Sequence, residues 1–414
     1  MNDLHQDVAL LRFATAGSVD DGKSTLIGRL LYDAKGLFED QLADLASDFD
    51  LAKLTDGLRA EREQGITIDV AHRYFATSRR RFMIADCPGH AQYTRNALTG
   101  MTEADVVVLL VDVQSGLQKQ TRRHAQLAAL LGLPVIVCVN KMDRVGYSEA
   151  EFRAVEHQLR GALEVLRLPF LHVLPVSALT GAHVASRSSK LAWFDGPALL
   201  ELLETIAPLQ TEDRGGKLFV QYVLRLPEGG RRYAGQIGSG QLAVGDEVAI
   251  LPRGHRARVR SLHIFDEAVT EAIAPASVAV TLDDELDVSR GDLIAVSGSE
   301  PQVSRRFEAT MAWMAERPLS AGDRILVQLG SQVERGIVRQ IDARLDLEGF
   351  VPEPADRLEM NDVGHVRIET LSPLPVEDLS ERSRSRRMPS VTERFVVIDP
   401  DTKETLSAGL VGVR

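Results

Sequence analysis

Apolar positions in the first half of the chain fall in short continuous runs, separated by stretches with helical spacing. Residues 10–16, 81–86, 105–112, 134–140 and 171–176 show little polar alternation, the pattern of a strand buried on both faces. Between these runs, apolar residues recur at helical intervals over residues 24–31, 118–131, 148–166 and 197–205. Alternating strands and helices predict a mostly parallel sheet with helices on both faces. Residues 211–216 read as a linker, and the texture then changes. Short β-type runs at 218–224, 232–237, 247–251, 257–264 and 277–282 are punctuated by Gly, Pro and Asp, which predicts a small barrel. A second β-rich stretch begins near Arg305 and continues through 324–329, 363–371 and 394–398. The expected architecture is an α/β domain over residues 1–210, followed by two small β-barrel domains over 211–302 and 303–414.

The chemistry concentrates at the ends of the predicted strands, where ligands of open parallel sheets bind. Gly17-Ser18-Val19-Asp20-Asp21-Gly22-Lys23-Ser24, followed by Thr25, fits G-x-x-x-x-G-K-[ST] between a strand and a helix. Chance supplies about 0.005 such matches in a chain of this length, before the flanking elements are required. Glycines let backbone N–H groups turn toward phosphates, and the helix N-terminus adds partial positive charge. Lys23 reaches the β- and γ-phosphates and Ser24 offers a hydroxyl to Mg²⁺.

Asp86-Cys87-Pro88-Gly89-His90 ends the next strand. Asp86 suits Mg²⁺, Gly89 lets a backbone N–H approach a γ-phosphate, and His90 is placed to orient attacking water. Asn140-Lys141-Met142-Asp143 ends a later strand. Its aspartate can accept both N–H groups of the guanine edge, and adenine would leave that carboxylate unpaired. Ser177-Ala178-Leu179 closes the following strand and can lend a backbone N–H to the guanine oxygen. Residues 61–69 are compatible with a charged surface turn, or with a switch in which Thr67 contributes to Mg²⁺ and the γ-phosphate. In this order the segments predict an α/β P-loop GTPase domain with GTP and Mg²⁺ as cofactors.

The 414 residues are 44% hydrophobic and 26% charged, an ordinary soluble composition. The net charge of −11 disfavours a generally sticky nucleic-acid binder, though a local basic face can coexist with an acidic total. Cys87 and Cys138 make no disulfide framework, so reduced thiols and a cytoplasmic location are expected. The polar, acidic start is no signal peptide, and no apolar run reaches the length of a membrane span.

Three runs carry a family resemblance: residues 20–33, residues 56–75, and Asp86-Cys87-Pro88-Gly89-His90. They are similar to the translation-factor GTPase superfamily and, within it, to the large GTPase subunit of bacterial sulfate adenylyltransferase. Residues 232–237 and 289–294 resemble that family's second domain, and residues 311–319 its third. Three features depart from the pattern: a shorter 39–56 spacer, an arginine-rich loop at 380–390, and Thr392-Glu393-Arg394-Phe395 in place of a glycine-rich turn. A solvated loop and a binding patch are both open for the arginine cluster.

The resemblance implies a smaller catalytic subunit that binds ATP and sulfate and makes adenosine 5′-phosphosulfate and pyrophosphate. GTP hydrolysis on this chain would drive that uphill step. It implies no membrane and no nucleic-acid partner. The alternatives are an elongation-type GTPase delivering a tRNA and a GTP-controlled scaffold, since one switch fold serves all three.

Overall fold

The computed structural model describes residues 10–34, 67, 69–166, 168, 171–207, 215–227, 229–378 and 389–412. The 39–56 spacer, residues 61–66 and 68 of the expected switch, 211–214 of the linker and 380–388 of the arginine-rich loop lie outside this set. The chain divides into two compact units, Met1–Leu209 with Asp346–Val351, and Gln210–Leu345 with Pro352–Arg414.

Among the described residues of the first unit, six strands form one sheet. They are β1 (Leu10–Ala16), β2 (Ala71–Ala76), β3 (Arg81–Asp86), β4 (Val106–Asp112), β5 (Val135–Asn140) and β6 (Leu171–Pro175). The order is β2-β3-β1-β4-β5-β6. All pairs are parallel except β2 with β3. Every residue of β4 and β5 is buried, as expected of strands covered on both faces. The helices are α1 (Lys23–Asp33), α2 (Thr94–Thr102), α3 (Lys119–Leu130), α4 (Glu149–Glu164) and α5 (Leu199–Thr205). Strand order reverses between β1 and β4, so the crevice beyond their carboxyl ends is the natural ligand position. The loop after β1 opens there.

Among its described residues the second unit holds two closed six-strand barrels. In the first, Glu247–Leu251 pairs with His255–Ile264 and completes the circle. In the second, Arg324–Leu329 pairs with Gln332–Leu345. Their apolar interiors are joined, because Phe219, Leu251 and Leu293 of the first barrel cluster with Trp313, Leu329 and Phe395 of the second.

The run expected over 218–224 is two strands, Lys217–Phe219 and Tyr222–Arg225. The chain leaves the ladder between them: Val220 N–H donates to Asp292 C=O at 2.8 Å, and Gln221 N–H to Ala234 C=O at 2.9 Å. The longest strands, Gln332–Leu345 and Val363–Val376, pair across two register shifts. Those shifts blur the two-residue period by which a strand is recognised, and 332–345 carried no visible strand signal.

Candidate functional site

The phosphate loop is held in shape from beneath by groups remote in sequence. Gly17 has φ 140° and Gly22 has φ 92°, conformations that glycine adopts at little cost. A Cβ on Gly17 would lie 2.7 Å from Leu110 C=O, and one on Gly22 would lie 2.5 Å from Asn140 Nδ2. The Gly17 N–H donates to His124 Nδ1 at 3.0 Å, and the Ser18 N–H donates to Asp21 Oδ2 at 2.7 Å. Asp21 is buried, so its side chain supports the loop from inside, whereas Val19 and Asp20 lie exposed at the rim. Lys23 Nζ donates back to Ser18 C=O at 2.7 Å and Gly17 C=O at 3.2 Å. Burial lowers the Lys23 pKa against the pull of Asp86 and Asp21. The ammonium is thus curled back over the carbonyls of its own loop. Ser24 and Thr25 occupy the first turn of α1, both half-buried.

Parallel pairing of β1 with β3 sets Asp86 beside Thr15, whose hydroxyl donates to Asp86 Oδ1 at 2.9 Å. Cys87 and Pro88 are buried, and Cys87 Sγ lies 3.6 Å from Ala97 C=O. Burial raises the Cys87 pKa, so it is a packed thiol. A Cβ on Gly89 would come within 2.5 Å of Lys23 Nζ and 3.1 Å of Val19 N. The backbone of this segment therefore touches the phosphate loop directly. His90 is exposed, edge-on to Tyr93 with ring centroids 6.4 Å apart. Thr67 is half-buried.

At the other end of the crevice, Asn140 ties three segments together. Its Nδ2 donates to Asp21 C=O at 2.8 Å, and its Oδ1 accepts the Ala178 N–H at 2.9 Å. That N–H is thus available to a base oxygen only as a shared bond. Lys141, at φ 62°, pairs with Asp112 at 2.8 Å. Burial would raise the Asp112 pKa, but the Lys141 and Gln114 hydrogen bonds hold it below the usual range. Met142 is wholly buried. Asp143 accepts from the Ser177 hydroxyl at 2.5 Å. Leu179 is exposed, and its C=O accepts from Arg29 Nη2 at 2.7 Å. Four predicted segments, distant in sequence, converge on one crevice: 17–25, 86–90, 140–143 and 177–179.

Two family models match the chain: the elongation factor Tu GTP binding domain over residues 9–211, which includes every segment above, and the GTP-eEF1A C-terminal domain-like model over 306–412. Sulfate adenylyltransferase subunit 1 of Teredinibacter turnerae is 42% identical, with 98% of this chain and 88% of that protein covered. The chain belongs to the sulfate adenylyltransferase subunit 1 family. The Shewanella woodyi member is 40% identical, with 99% of this chain and 88% of that protein covered. The bifunctional enzyme CysN/CysC of Mycobacterium tuberculosis is 43% identical, and this chain spans 67% of its length.

In this family member, the supports that sequence reasoning missed are His124, Arg29, Asp112 and Thr121, whose hydroxyl donates to Asp21 Oδ2 at 3.5 Å. Nothing in the spacing of α3 marks His124; only the β1–β4 pairing brings α3 beneath the loop. Burial, reinforced by Lys23, lowers the His124 pKa to about 3. The imidazole is therefore neutral, with Nδ1 accepting from Gly17. The unfolded chain takes up this proton near the ordinary histidine pKa, and the folded protein does not. The stabilisation is complete above about pH 6.5 and is lost as pH falls toward 3, by up to about 1.4 kcal/mol per pH unit. His124→Gln, which keeps an acceptor without a titrating ring, is expected to flatten this acid limb in urea unfolding measured between pH 4 and 7. An unchanged limb would assign the acid loss to other groups.

Proposed function

We propose that this chain binds and hydrolyses GTP, and that hydrolysis drives formation of adenosine 5′-phosphosulfate and pyrophosphate from ATP and sulfate on a smaller partner subunit. The observation that carries the reading is the crevice where the Lys23 loop, Gly89 and the Asp143–Ser177 pair meet, in a chain about 40% identical over nearly its whole length to proteins named sulfate adenylyltransferase subunit 1. Those relatives carry that name and not the name of a tRNA-delivering factor, which favours sulfate activation over the elongation-type alternative. We assign nucleotide work to residues 1–210, ahead of the barrels 211–302 and 303–414.

Each residue has a task in this mechanism. Backbone N–H groups of the 17–25 loop beyond Ser18 and the Lys23 ammonium cradle the phosphates, while the Gly17 and Ser18 N–H groups are spent on holding the loop's shape, and Gly89 N–H meets the γ-phosphate. Ser24, Thr67 and Asp86 would hold Mg²⁺; hydroxyls and one carboxylate suit this hard cation, which keeps waters and shares its shell with nucleotide oxygens. When bound, Mg²⁺ neutralises charge on the phosphate oxygens. His90, from the rim, orients the water that attacks the γ-phosphorus, while Asp143 reads the guanine edge. Among the described residues no helix is long and apolar enough to cross a membrane.

The test combines the purified chain with the co-encoded small subunit, ATP, sulfate and either GTP or a non-hydrolysable analogue. Phosphosulfate is expected to form faster with GTP, and indifference to GTP would reject the coupling. His90→Ala is expected to leave GTP affinity within about twofold and slow hydrolysis about a hundredfold. Full turnover in that variant would remove His90 from its role.

A further inference from the structure

Tyr147, just beyond the guanine box, stands in an unusual backbone position. Gly146 has φ 61° and Tyr147 has φ 59°, so two successive left-handed residues turn the chain between Met142–Val145 and α4. At the second of them a bulky aromatic side chain is a genuine outlier, and such outliers gather where function requires them. The Tyr147 backbone is fixed on both sides. Its N–H donates to Met142 C=O at 2.8 Å, and its C=O accepts the Trp193 indole N–H at 2.9 Å.

The phenol completes a bridge to the opposite segment. Lys190 Nζ lies 3.3 Å from the Tyr147 hydroxyl and 5.0 Å from the ring centroid. An ammonium only donates, so the phenolic proton is left for Thr180 Oγ1, 3.0 Å away. The Thr180 N–H donates to Ser177 Oγ at 3.2 Å, and the Ser177 hydroxyl donates to Asp143 Oδ1. Two short relays meet at Thr180: Lys190 to the phenol to the Thr180 hydroxyl, and the Thr180 backbone N–H to Ser177 to Asp143, so the phenol holds the residue whose N–H supports Ser177. Thr180 and Lys190 are exposed, and without the phenol nothing else in this path ties Thr180 to the turn after Asp143.

We propose that Tyr147 is a positioning residue for guanine selectivity. It locks Thr180 and Ser177 so that the Asp143 carboxylate is already oriented toward the base edge. The inference rests on the guanine reading above and adds the residue that pre-organises it.

Tyr147→Phe keeps the ring and the backbone and removes the hydroxyl. Calorimetric titration with GTP and with ITP, whose base lacks the 2-amino group, separates positioning from general support. The variant is expected to bind GTP about tenfold more weakly and ITP within about twofold of wild type, because ITP makes one fewer bond to Asp143. Thr180→Val should give the same pattern, and the double variant should lose no more than either single one. Equal losses for both nucleotides, additive losses in the double variant, or full retention of the GTP preference in Tyr147→Phe would overturn the inference alone. Wild-type protein indifferent to guanine against hypoxanthine would overturn it together with the guanine reading.

Discussion

Asp143→Asn is expected to shift the preference from GTP to XTP by about a thousandfold or more in the ratio of dissociation constants. The carboxylate offers two acceptors to the N1–H and the 2-amino group of guanine. An asparagine amide turns an N–H toward one of those donors, so a donor faces a donor inside the crevice. Xanthine carries an oxygen in place of the amino group and accepts that N–H, which restores the match. The size of the effect depends on how firmly the group is held. Asp143 is bonded by the buried Ser177 hydroxyl, and the neighbouring Lys141 is pinned to Asp112 at 2.8 Å. A side chain held on both flanks cannot swing away to relieve the mismatch. Titrations with GTP, XTP and ATP check the prediction, and undiminished GTP selectivity would mean that the base is read elsewhere.

Lys217→Met is expected to destabilise the second unit by about 3–5 kcal/mol, because it removes the buried ammonium that faces the buried Glu377 carboxylate. Lys217 and Glu377 are both almost fully buried and lie 3.1 Å apart, the first on a strand of the first barrel and the second just past a strand of the other. Their approach is off-line for a hydrogen bond from Lys217 to Oε1, so charge and not alignment makes this contact. The other oxygen accepts from Ser390 Oγ at 2.9 Å and from Thr392 Oγ1 at 2.5 Å. These hydroxyls ease the solvation loss of Glu377 but supply no positive charge. Lys217→Met combined with Glu377→Leu is expected to recover most of the loss, since an apolar pair of similar volume has no charge to strand. Urea unfolding of the intact chain and both variants measures this. Equal stability of wild type and Lys217→Met would show that the pair contributes nothing to holding the barrels.

What was legible in the sequence follows from how each signal is written. The loop of residues 17–24 was visible because its glycines, lysine and serine are contiguous and flanked by an apolar strand and an amphipathic helix. Asp86-Cys87-Pro88-Gly89-His90 and Asn140-Lys141-Met142-Asp143 were visible as short chemical words at strand ends. The barrels were legible as texture but not as register. The expected 218–224 strand breaks at Val220 to serve two pairings, and 332–345 loses its alternation to bulges.

The chain by itself therefore determined the α/β class, the glycine-and-lysine loop after β1 and the segments we assign to guanine, because each rests on neighbours along the backbone. Tertiary structure decided the rest. It turned Asp21 inward, brought His124 beneath Gly17, set Gly89 against Lys23, and joined Lys190 to Asp143 through Tyr147 and Thr180. Those contacts depend on which strands lie side by side, and strand order is set by burial of both sheet faces over the whole domain, which no local window of sequence contains.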